Sequence, residues 1–182
     1  MKGGAIMQAG EAKQALNKKK LLYIFKKFDR AVTNAELTNF VLKNDYFDYF
    51  ILQEILNLLI DIKFVNTINQ DGHEFFELTE SGLETIIMFE DNLPSYFVDE
   101  VKEQFHVFTK ERENKEAIFS HYYQKSEDEF IVVIEVLDNR KVIFDLSLHV
   151  PTKDIATKLC QKWNEDPSEL YSQILTTLTQ DL

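Results

Sequence analysis

The sequence predicts an α+β protein in two parts, and three observations carry that expectation. The hydrophobic period changes from about 3.6 to 2 at Phe64 and returns to helical spacing after Thr79. Three more alternating segments lie between residues 115 and 150, and helical patterns follow them. The composition is 45% hydrophobic with 15 Phe and 7 Tyr, which supplies filled cores rather than a disordered chain. A length of 182 residues holds one domain or two small ones. The expected boundaries are a flexible tail over 1–12 and a domain of three helices, a hairpin and a fourth helix over 13–92. A linking helix over 93–114 then leads to a small α+β module over 115–182 that pairs subunits or senses a signal.

The elements follow in order. Leu21, Ile24, Phe25 and Phe28 form a helical stripe over 13–29, with Lys19, Lys20, Lys26, Lys27 and Arg30 on the other side. Thr33 and Glu36 fit a capping box that opens a short helix with Leu37, Phe40 and Val41 inside. Asp48 is the expected cap of a third helix, whose inner face is Leu52, Ile55, Leu56 and Leu59. The segments FVNTINQ and HEFFELT then alternate around Asp71-Gly72, a type I′ hairpin signal because both central positions need positive φ. Thr79 caps a fourth helix through Leu83, Ile86, Ile87 and Phe89. After Pro94 comes an amphipathic helix with Phe97, Val101, Phe105 and Phe108 on one face. EAIFSHYYQK, FIVVIEVL and KVIFDLSLHV read as three strands; the middle one is apolar on both faces, as a central strand should be. Pro151-Thr152 and Asp166-Pro167 open the last two helices.

Charge narrows the choice of partner. The net charge is −11, but residues 1–63 carry 10 Lys+Arg against 7 Asp+Glu, while 64–92 carry none against 7 and 93–182 carry 10 against 17. Only the first third would attract a phosphate backbone. No run of about 18 apolar residues is present, so no membrane helix is expected, and the N-terminus has no apolar signal core. The lone Cys160 fits a reducing cytoplasm and a small core residue.

The segment "NAELTNFVLKNDYFDYFILQEILNLLIDIKFVNTINQDGHEFFELTESGLE" resembles the winged helix-turn-helix of PadR- and MarR-type regulators. Those have a three-helix core, a two-stranded wing and a Leu-Thr-x-x-Gly step, here Leu78-Thr79-Glu80-Ser81-Gly82. The whole chain is similar to a bacterial family catalogued as domain of unknown function number 4364. The resemblance implies a dimeric, cytoplasmic transcriptional regulator whose third helix enters the major groove. The residues expected at DNA are Lys18, Lys19, Lys20, Lys43, Asn44, Tyr46, Tyr49, Gln53 and Asn57, with Asn69, Gln70 and His73 at the wing. Gln and Asn pair bidentately with adenine.

The same residues also carry a competing reading. Between Lys43 and Lys63 there is no Lys or Arg, and Asp45, Asp48, Glu54 and Asp61 would repel phosphates. The basic residues of the first helix serve equally as a solvated face. An acidic, aromatic third helix suits a protein partner, met through Tyr46, Phe47, Tyr49 and Phe50. His73-Glu74 lacks the second His of a zinc motif, and His106, His121 and His149 lack metal spacing. No phosphate loop or nucleophile elbow appears, so neither a catalytic residue nor a cofactor is expected. The amphipathic helix 94–111 and a three-stranded sheet too small to stand alone both suggest a homodimer.

Overall fold

A computed structural model of the chain describes residues 3–70, 72–111, 116–138 and 141–180. It is a mixed α+β structure with, among those residues, seven α-helices and two three-stranded antiparallel sheets. The chain divides into two compact units, Met1–Glu111 and Arg112–Leu182.

The first unit begins with α1, Gly3–Phe28, so the stretch expected as a tail is helical from Gly3 onward. Ala, Met, Gln and Glu there are good helix formers without an apolar stripe, which is why periodicity started the helix later. Next come β1 (Val32–Thr33), α2 (Asn34–Lys43), α3 (Tyr49–Asp61), β2 (Val65–Gln70) and β3 (His73–Leu78). Then follow α4 (Glu80–Phe89), a single 3-10 turn and α5 (Ser95–Glu111). The three caps stand where the residue types put them. Thr33 accepts from the amide of Glu36 at 3.1 Å, Asp48 from Ile51 at 2.9 Å and Thr79 from Gly82 at 3.1 Å. Both α2 and α3 end with a non-glycine residue in the left-handed region, Asp45 (φ 53) and Lys63 (φ 63). The amides of Tyr46 and Phe64 bond back to Val41 and Leu59 at 3.1 and 2.9 Å, closing Schellman turns that redirect the chain sharply.

β2 and β3 pair from Val65 opposite Leu78 to Gln70 opposite His73. Gly72 has φ 85, as the expected turn requires; its neighbour Asp71 lies outside the described residues. Sequence reading missed β1, a two-residue strand that lays Val32 and Thr33 against Phe76 and Phe75 and completes the order β1-β3-β2. Two residues have no period to detect.

The core of this unit is aromatic. Phe28 and Phe40 meet edge to face at 5.6 Å, and Phe105 and Phe108 of α5 pack on both at 5.2–5.9 Å. Phe97 and Val101 of α5 are also buried. Hence the apolar face of α5 is filled by its own unit, and the argument that it needs a partner chain does not hold. The carboxylate of Glu36, with 0% exposure, is gripped by both guanidinium nitrogens of Arg30.

The second unit has the order β4-β5-β6: β4 (Glu116–Ser126), β5 (Glu129–Asp138) and β6 (Lys141–Val150). β5 is central and buried along most of its length. Phe130, Val132, Ile134 and Val136 face α6 (Lys153–Glu165), which contributes Ala156, Cys160 and Trp163. Phe144 of β6 stacks on Trp163 with centroids 5.5 Å apart. Cys160 is buried, and its thiol is pushed up by burial. Asp166 caps α7 (Pro167–Thr179) through the amide of Glu169, and Leu170, Tyr171 and Ile174 pack on the core from outside. His121 is buried, and burial lowers its pKa to about 4. The turn residues Asn139 and Arg140 lie outside the described residues.

Candidate nucleic-acid interface

α3 buries Leu52, Ile55, Leu56 and Leu59 against its own unit and leaves a mixed outer face. Asn57, Glu54 and Asp61 are exposed, and Phe50 is 58% exposed. Gln53 is half-buried and donates to Asn34 Oδ1 at 3.1 Å, while Glu54 accepts from Gln14 at 3.3 Å. The hairpin beside α3 is solvent-facing along β2, where Asn66, Thr67, Asn69 and Gln70 stand out; His73 is half-buried. Together these give an exposed surface rich in side-chain amides and hydroxyls. It is poor in cations, since the outer face of α3 and the whole hairpin hold no Lys or Arg.

Two of the expected surface residues turn inward, Tyr46 half-buried and Phe47 buried. Tyr46 packs on Phe40 and Phe97, with centroids 5.9 and 5.4 Å away. Its hydroxyl is buried without a hydrogen-bond partner, and burial raises its pKa well above the usual tyrosine range. Phe47 is buried as well. The Schellman turn at Asp45 folds both rings inward, where sequence reading expected a contact patch. Tyr49 is half-buried with its ring 5.4 Å from Phe50, so of the four aromatics only Phe50 is largely in solvent.

Three lysines of α1 are placed against α4, α5 or the turn between them. Lys19 lies over the ring of Phe89 at 5.4 Å and Lys20 over Phe97 at 4.8 Å, while Lys26 pairs with Glu90. Lys27 sits over Tyr23 at 5.0 Å, and its pKa is lowered, first by burial. Lys18 is half-buried. Lys19 and Lys20 lay their side chains on rings of α4 and α5, a use that spacing alone does not reveal. Lys43 is exposed in the last turn of α2, and Asn44 donates to the carbonyl of Phe40 at 2.8 Å.

An open groove of about 580 Å³ runs between the end of α1 and the start of α4, lined by Phe25, Lys27, Arg30, Glu77, Thr79 and Leu83. Its opposed charges largely neutralise one another. Among the described residues no three His, Cys, Asp or Glu side chains are placed to hold a metal ion, and no helix is long and apolar enough to cross a membrane.

A family model described as "Domain of unknown function (DUF4364)" matches residues 17–178. Neither a curated protein nor a solved structure matches the chain.

Proposed function

This chain belongs to the DUF4364 family, and from the element order of its first unit we propose that it is a winged helix-turn-helix protein acting as a dimeric, DNA-binding transcriptional regulator. One observation carries the reading: helix, short strand, helix, helix and hairpin are closed by β1 into a three-stranded sheet beside α3. In this arrangement α3 enters the major groove and the hairpin is the wing. Asn57, Asn69 and Gln70 offer amides to base edges, and Lys43 offers charge to the backbone. The subunits pair outside the filled face of α5, and α7 supports this with Leu175 and Leu178 exposed. Light scattering at tens of micromolar that finds only monomer counts against the pairing. Fluorescence anisotropy with genomic fragments at low salt tests the DNA reading. A minority of fragments bound below about micromolar, and weakened by Asn57→Ala, is the expected result. Uniformly weak binding to every fragment sinks it.

One observation favours a second reading. Phe50 is 58% exposed between the carboxylates of Asp48 and Glu54, a surface better matched to a protein than to phosphate. A stoichiometric complex that survives nuclease and is lost with Phe50→Ala decides for this alternative.

A further inference from the structure

The outer face of α4 contradicts its sequence pattern. Of the apolar residues that helical spacing places inside, Ile86 is buried, but Leu83, Ile87 and Phe89 are exposed. Ile87 is 58% and Met88 74% in solvent. Leu83 and Ile87 are one turn apart and form a single stripe, with Glu84 and Met88 beside it. Gly82 and Ile86 face inward, about 100° round the helix from that stripe. Glu80, Glu84 and Asp91 run alongside this stripe, between it and Met88, so carboxylates and exposed apolar side chains share one face.

These carboxylates identify the partner. Between Lys63 and Lys102 the chain has no Lys or Arg. Glu80, Glu84 and Asp91 are exposed, and among the described residues none of the three has an ion pair. The nearby cations are used elsewhere, Lys26 on Glu90 and Lys19 on the ring of Phe89. A second copy laid on this face would set carboxylates against carboxylates, and nucleic acid and anionic membranes meet the same repulsion. We infer that the outer face of α4 docks a basic amphipathic helix of another protein, with Leu83, Ile87 and Met88 meeting its apolar stripe and Glu80, Glu84 and Asp91 meeting its Lys or Arg side chains. This surface is distinct from α3 and operates whether or not α3 binds DNA.

The test is fluorescence anisotropy of the full chain with a labelled synthetic Leu/Lys amphipathic helix, beside a Leu/Glu helix of the same pattern. Saturable one-to-one binding of the Leu/Lys helix alone is expected. The double variant Ile87→Ser with Met88→Ser should weaken it about tenfold or more, since hot-spot losses of that size follow from removing central apolar anchors. Glu80→Gln with Glu84→Gln should weaken it a few-fold at low salt and flatten its salt dependence. Equal affinity of the Ile87/Met88 variant and the parent overturns the inference, because attraction would then come from net charge anywhere on the molecule. Unchanged circular dichroism verifies that the variants fold. A photoreactive Leu analogue in the peptide gives an independent readout on the unmodified chain: crosslinks within residues 83–91 support the site, and crosslinks elsewhere refute it.

Discussion

Tyr46 has a hydroxyl in the protein interior with no hydrogen-bond partner, packed between Phe40 and Phe97. A buried unsatisfied polar atom costs about 1–3 kcal/mol, so deleting it should do no harm. Tyr46→Phe is expected to leave stability unchanged or raise it by about 1 kcal/mol in urea unfolding, with DNA affinity unaltered. A marked loss of DNA affinity would return Tyr46 to the contact surface, and a marked loss of stability would mean that its hydroxyl has a partner. His121 makes a different prediction. Burial holds its pKa at about 4, below the ordinary 6.5, because the imidazolium is disfavoured away from water. The unfolded chain takes up this proton as pH falls through about 6.5, whereas the folded chain takes it up only near 4. This residue therefore has no effect on stability above pH 6.5 and lowers it progressively between 6.5 and 4, by on the order of 3 kcal/mol in total. Paired unfolding curves at neutral and mildly acidic pH should show that loss in the parent and a smaller one in His121→Leu. Neither role was legible beforehand, since a Tyr or His in an alternating or turn segment looks the same buried or exposed.

At the scale of elements, the joint between the hairpin and α4 is the most tightly specified contact. Thr79 Oγ1 accepts from Gly82 and donates to the carbonyls of Lys63 and Phe64 at 2.8 and 3.2 Å. This draws α4 onto the start of β2. A Cβ on Gly82 would stand 2.3 Å from the Phe64 carbonyl oxygen, a backbone atom that cannot swing away. Replacing Gly by Ala inside a helix ordinarily stabilises by about 1 kcal/mol. Here Gly82→Ala should instead destabilise by about 2 kcal/mol, the usual scale of overpacking. A rise in the urea midpoint would show that the close approach does not exist. The Leu-Thr-x-x-Gly spacing pointed to this joint, and the caps at Thr33, Asp48 and Thr79 were equally readable, because each depends on residues only a few positions apart. β1 was not readable: its existence depends on β3, some forty positions away. Nor did periodicity tell that α4 turns Leu83 and Ile87 outward while α5 turns Phe97 and Phe108 inward. A stripe states that a helix has an apolar face, not what meets it.

For the whole molecule, charge and its placement decide which partners are possible. The net charge of −11 repels nucleic acid, and the cations of the first third are partly spent on Phe89, Phe97 and Glu90. If DNA is the ligand, few phosphates are neutralised and recognition rests on amides. The logarithm of affinity should then fall with that of salt at a slope shallower than about −4 for a dimer, about two phosphates a subunit. A slope steeper than about −6 would mean that basic residues outside α3 and the hairpin carry the binding. By itself the sequence determined the α+β class, most of the element order, the caps and the acidic balance, because these depend on composition and on neighbours within a few residues. Only the tertiary structure decided which apolar faces were already filled, which lysines lay on aromatic rings and which helix still presented Ile87 and Met88 to solvent. Those outcomes depend on contacts between residues far apart in the chain, and such contacts leave no local period in it.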